Sequence, residues 1–132
     1  MKIFQRSDKH GYGNRLNVVD ENNVFVGYDY GQSCCENFGY YFTFTEPTEA
    51  KDEGDYQGDV DENSFDHSGY LFDVTYNKDL PVPSYSGATS FKLTKVGHPD
   101  LYLVLYNYHN GYYSHGFNMH APEIGDVFEG SL

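Results

Sequence analysis

The residues best suited to chemistry by type and spacing are Ser33-Cys34-Cys35-Glu36. A serine followed three positions later by glutamate fits a helix capping box, and Gly39 is placed to end the turn. The pattern predicts one short helix near residues 33–38 with both thiols in its first turn. A helix N-terminus lowers a thiol pKa, so Cys34 or Cys35 could serve as a nucleophilic or redox-active thiolate beside Glu36 and a histidine such as His115. The plainer reading is that both cysteines are small buried packing residues, as free cysteine usually is. Adjacent cysteines are poorly placed to bridge one another, and two of them do not make a secreted disulfide framework.

Six histidines could offer metal ligands or a general base. His109, His115 and His120 fall close together in sequence, with Asn110-Gly111 among them. Asn-Gly is the preferred two-residue turn of a tight hairpin. A hairpin of Leu101–Tyr108 with Tyr112–His120 would set Tyr106 opposite His115 and Val104 opposite Phe117. In that register the three histidines cannot reach one point about 2 Å from each, so no zinc site is expected. His115 reads instead as a hydrogen-bonded sheet residue.

Between Glu46 and Ser68 lie nine acids and one lysine. Asp59-Val60-Asp61-Glu62-Asn63 has the oxygen spacing that opens a calcium loop. Ser64 stands where that loop needs glycine, and Tyr70 where it needs its last glutamate, so an EF-hand is rejected. Asp52, Glu53, Asp55, Asp59, Asp61, Glu62 and Asp66 read better as a solvated acidic surface for a basic partner. Nothing selects a catalytic pair from twenty carboxylates. The chain also lacks a phosphate-cradling glycine loop, a nucleophile-elbow serine and a basic aromatic platform.

The elements that would carry these residues are strands. Leu16–Val19 and Val24–Tyr28 flank the polar loop Asp20-Glu21-Asn22-Asn23, a hairpin pattern. Tyr40 to Thr45 alternates, with Tyr40, Phe42 and Phe44 on one face and Tyr41, Thr43 and Thr45 on the other. Tyr70, Phe72, Val74 and Tyr76 repeat the period, and Ser90 to Val96 is a further strand. Both faces of the Leu101–Tyr108/Tyr112–His120 hairpin are apolar near the strand ends away from the turn, which predicts that the hairpin lies mid-sheet and is covered on both sides there. A mainly β fold follows, an antiparallel sheet curled or packed as a sandwich.

Composition agrees. With 14 tyrosines, 10 phenylalanines, 14 glycines and no tryptophan, the apolar inventory suits pleated sheets and tight turns. A length of 132 residues predicts a single domain, 1–132, with a long acidic loop at 46–68. The formal charge is −12, and from Leu16 to Asn77 fourteen acids face one base. Such a surface repels a phosphate backbone, so direct nucleic-acid binding is not expected. The N-terminal residues lack the apolar stretch of a signal peptide, and no run reaches the roughly 18 apolar residues of a membrane span. A reducing cytoplasm is the expected compartment.

Cys34-Cys35-Glu36, taken with His109-Asn110-Gly111-Tyr112-Tyr113-Ser114-His115-Gly116-Phe117, resembles a family of small uncharacterised proteins of bacteriophage and prophage genomes. Its members carry a Cys-Cys-Glu segment after a strand and an Asn-Gly-Tyr-Tyr-Ser-His-Gly hairpin near the C-terminus. The resemblance implies a phage-encoded protein in host cytoplasm and supplies no catalytic residues; the acidic insert departs from it.

These observations favour a small acidic binding protein without enzymatic activity, an inhibitor of a basic host protein in defence or nucleic-acid handling. No cofactor or metal is implied. Two alternatives stay open: a cysteine-dependent enzyme or ligand-binding protein centred on Cys34 and Cys35, and a phage structural or assembly component.

Overall fold

The computed structural model describes residues 1–7, 14–31, 37–49, 60, 63–82, 86–108 and 114–132. Among them are nine strands and no helix: β1 (Lys2–Ser7), β2 (Asn14–Val19), β3 (Phe25–Asp29), β4 (Asn37–Thr43), β5 (Leu71–Asp79), β6 (Ser86–Thr94), β7 (Leu101–Tyr108), β8 (Gly116–Ala121) and β9 (Gly125–Ser131). They form two antiparallel sheets, five-stranded in the order β1-β2-β3-β8-β9 and four-stranded in the order β4-β7-β6-β5. The expected sandwich is therefore the architecture. The chain leaves the first sheet after β3, builds the whole second sheet, and returns at β8 beside β3.

Alternation in the strands makes the core. Leu16 and Val18 of β2, Val26 and Tyr28 of β3, and Phe117 and Met119 of β8 point inward from the first sheet. Phe42, Phe72, Phe91, Leu93, Leu101, Leu103 and Leu105 meet them from the second. Burying a side chain of this size contributes about 1.5–3 kcal/mol each before the entropy of ordering is counted. Across the sandwich, the Tyr28 hydroxyl donates to the Tyr106 carbonyl at 2.9 Å.

The β2–β3 hairpin forms as its pattern predicts, with Val19 opposite Phe25. Asp20 and Val24 close the loop through an N–H to carbonyl bond of 2.9 Å. Asn23 takes the left-handed conformation at φ 61°, which asparagine tolerates better than most residues.

Strand β7 lies mid-sheet between β4 and β6 and is buried on both faces, as expected, whereas β8, also mid-sheet between β3 and β9, is buried on one face only. The outer face of β7 carries Val104, covered by Tyr41, Leu80 and Ala88, with Val82 and Tyr106 packed alongside. Leu80 is held there by its N–H bond to the Ala88 carbonyl.

Two expectations are corrected. Strands β7 and β8 are not a hairpin, because β7 belongs to the four-stranded sheet and β8 pairs with β3 and β9. Tyr106 therefore opposes Gly39 and Ala88, not His115, and Val104 opposes Tyr41 and Ser90, not Phe117. Physically, Leu103 and Phe117 share one core by facing each other from opposite sheets, which a local turn signal cannot distinguish from pairing within one sheet. The Asn110-Gly111 turn lies outside the described residues. The other correction concerns the helix near 33–38. Residues 33–36 lie outside the description, and Asn37 and Phe38 are strand residues paired with Tyr108 and Asn107. Phe38 packs its ring against the core, a contact that favours the sheet over a capped turn.

Candidate functional site

Cys34, Cys35 and Glu36 lie outside the described residues, as do Asp52, Glu53, Asp55, Asp59, Asp61 and Glu62. Two of the expected site residues are described, His115 and Asp66.

His115 is 2% exposed. Its Nδ1 lies 2.6 Å from the Asp29 carbonyl oxygen, and its ring packs on Phe38 at 4.3 Å and on Tyr28 at 5.9 Å. Its main chain exchanges both hydrogen bonds with Leu132, each at 2.8 Å. The imidazole is therefore a buried, hydrogen-bonded and aromatic-packed residue immediately before β8, not a strand residue opposite Tyr106. The register that excluded a three-histidine site does not hold, and His109 is outside the description. Among the described residues, no group of three or more His, Cys, Asp or Glu side chains is placed to hold a metal ion.

Asp66 is exposed, and its Oδ1 accepts the Ser68 hydroxyl at 2.6 Å and the Ser68 N–H at 3.0 Å. Those two bonds hold its carboxyl below the usual carboxylate value, so it stays ionised through mildly acidic pH. The loop around it is not wholly solvated. Val60 is 8% exposed and bridges Phe42 of β4, and Phe65 packs against the core.

Every described tyrosine is buried or half-buried. On the outer face of the four-stranded sheet, Tyr76 packs edge-on to Tyr102 at 5.8 Å, and Lys92 lies over its ring at 5.2 Å. Its hydroxyl donates to Glu46 at 3.1 Å. Burial pushes both phenols above their ordinary pKa.

The outer face of the five-stranded sheet carries an arrangement absent from the sequence-based expectations. Strand register sets Phe4, Asn17, Gly27, Asn118 and Glu129 in one row across five strands, and Lys2, Val19, Phe25, His120 and Asp126 in another. Arg6, Arg15 and Asp29 begin a third. Arg15 reaches over Gly27 to donate to Asn118 Oδ1. Asn118 Nδ2 donates to Asp126 Oδ1 at 3.4 Å, and His120 Nδ1 approaches the same oxygen at 3.0 Å. His120, then Asn118, hold the Asp126 carboxyl below its ordinary value. Gly27 makes this possible, because a Cβ there would stand 2.8 Å from Arg15 Nη2 and 2.9 Å from Asn118 Oδ1. Beside the network is a cleft of about 590 Å³ lined by Arg15, Gly116, Asn118, Asp126 and Glu129, with Phe117 and Gly130.

The arrangement holds donors and acceptors in fixed positions along the sheet face. No protein-family model, no curated protein and no solved structure matches this chain.

Proposed function

We propose that this chain is a non-enzymatic binding protein that docks a basic protein partner through its acid-rich surface. Read with the phage-family resemblance of its Cys-Cys-Glu and Asn-Gly-Tyr-Tyr-Ser-His-Gly segments, it is a phage-encoded inhibitor of a host defence or nucleic-acid-handling protein, acting in host cytoplasm.

The observation that carries this reading is the charge: −12 overall, with nine acids and one lysine between Glu46 and Ser68. A field of one sign accelerates encounter with a surface of the opposite sign and repels nucleic acid. The ionised, exposed Asp66 supports it as a described member of that set.

The test is a pull-down from bacterial lysate at low and high salt. Recovery of one basic protein at low salt and its loss at high salt is expected. Combined reversal of Asp52, Glu53, Asp55, Asp59, Asp61, Glu62 and Asp66 to lysine should abolish that recovery. Unchanged binding and unchanged salt dependence in the reversed variant would falsify the proposal.

A further inference from the structure

We infer that the outer face of the five-stranded sheet is a self-association surface, and that its partner is a second copy of this chain. The charge on this face differs from that of the rest of the protein. Lys2, Arg6 and Arg15 are balanced by Asp29, Asp126 and Glu129, so the face carries no net charge in a chain of −12. The two signs are also separated. All three bases lie on β1 and β2, whereas Asp126 and Glu129 lie on β9 at the opposite edge.

A face with its bases on β1 and β2 and two of its three acids on β9, the third, Asp29, lying on the central β3, is complementary to itself turned around. A twofold axis along β3, the middle strand, lays β1 and β2 of one copy over β9 and β8 of the other. The rows then coincide: Lys2 meets the second copy's Asp126, and Phe4 comes over the second copy's Asn118 and Glu129. Phe4 is 45% exposed, and the 590 Å³ cleft lies where it arrives. The bonds among Arg15, Asn118, Asp126 and His120 hold these side chains in place beforehand, which lowers the ordering cost of association. Isologous pairing of this kind is the commonest oligomeric symmetry.

Magnitudes set the expected strength. Five strands at about 4.8 Å spacing and six residues at about 3.3 Å cover roughly 500 Å² per copy. Both copies together bury about 1,000 Å², the lower bound for a specific interface. An interface at this lower bound is that of a weak, transient dimer. Salt acts on it in two directions. The overall charge drives copies apart below about 0.01 M salt, where the Debye length is about 30 Å, whereas contact pairs persist at 0.15 M, where it is about 8 Å.

The experiment is sedimentation of the full chain across concentration and salt. A dimer strongest near about 0.15 M salt and weakened at least tenfold by about 1 M is expected. The variant Arg6→Glu with Arg15→Glu, and separately Asp126→Lys with Glu129→Lys, should each be monomeric while keeping wild-type circular dichroism. Mixed together, the two variants should form a heterodimer, because one face is then acidic and the other basic. A wild-type chain that stays monomeric at every salt overturns the inference. So does a dimer untouched by either variant, or a mixture in which no heterodimer forms.

Discussion

Asp20 Oδ2, in the turn between β2 and β3, accepts the N–H of Phe72 in β5 at 2.9 Å, so one carboxylate joins the two sheets. Its Oδ1 accepts two more backbone donors, Asn22 at 2.9 Å and Val24 at 3.0 Å. Asp20 is 4% exposed, so water cannot replace these bonds. Asp20→Ala strands three N–H groups and should cost about 2–4 kcal/mol, since losing partners of buried donors costs about 1–3 kcal/mol each and the loop can relax toward solvent. Urea denaturation followed by circular dichroism measures it. A loss below about 1 kcal/mol would mean that the turn and β5 are held together by other contacts.

Two glycines that look alike in sequence should respond differently to alanine. At Gly130 a new Cβ would meet ring atoms of Phe117 at 2.7 and 2.9 Å. That ring is 6% exposed and packs on Phe91 at 5.9 Å, so it has nowhere to go. Gly130→Ala should destabilise the fold by about 1–3 kcal/mol, the usual cost of overpacking. At Gly27 the obstructing atoms are the ends of Arg15 and Asn118, which can swing outward. Gly27→Ala should therefore change stability by less than about 0.5 kcal/mol while breaking the Arg15–Asn118 contact. Equal losses in the two variants would remove this account of the sheet face.

How much of this was legible in the sequence depends on the range of the interaction. The β2–β3 hairpin was readable because Leu16, Val18, Val26 and Tyr28 alternate on either side of a polar loop. The two-sided burial of β7 was readable because Leu103 and Val104 are both apolar and fall on opposite faces. Strand β9 was not, because Gly125–Ser131 contains two glycines and two acids and lies at a sheet edge, where one side stays wet. The partner of β8 was not either. Asn110-Gly111 signals a turn, but only the return of the chain to β3 decides which sheet receives the next strand. The Arg15–Asn118–Asp126 network depends on that same return, since it joins residues 103 positions apart. One local signal pointed to it. Gly27 interrupts an otherwise apolar strand, and a strand-interior glycine often marks a close approach.

The Asp126 carboxyl gives a pH prediction. Its hydrogen bonds from His120 and Asn118 favour the ionised form and lower its pKa below the ordinary 3.8. A depressed folded-state pKa adds stability above the unfolded value, and that stability is lost as pH falls through the folded value. The acid limb attributable to Asp126 therefore lies below about pH 4, and it should shift upward in His120→Ala. Carboxyl carbon chemical shifts recorded from pH 2 to 6 would locate it. Asp73, lowered by the Thr75 hydroxyl and N–H, is the internal control and should not move. If Asp126 titrates unchanged without the imidazole, the contact at 3.0 Å contributes nothing to its ionisation.

The different positions of β1 and β7 should appear in amide exchange. Strand β7 is hydrogen-bonded on both sides, and Leu101, Leu103, Val104 and Leu105 are all fully buried. Its amides can exchange only when the sandwich opens as a whole, with a free energy near the global value of about 5–15 kcal/mol. Strand β1 is paired on one side only, with Lys2, Phe4, Gln5 and Arg6 exposed, so it can fray alone. In a dimer built on the outer face, β1 would be covered by the second copy's β9, and its fraying would be suppressed. Exchange measured by NMR at two protein concentrations should show β7 slowest and unchanged, with β1 fast when dilute and slower when concentrated. Exchange from β1 that is independent of concentration would argue that the sheet face stays open to solvent. Equal protection in β1 and β7 would contradict the strand order itself.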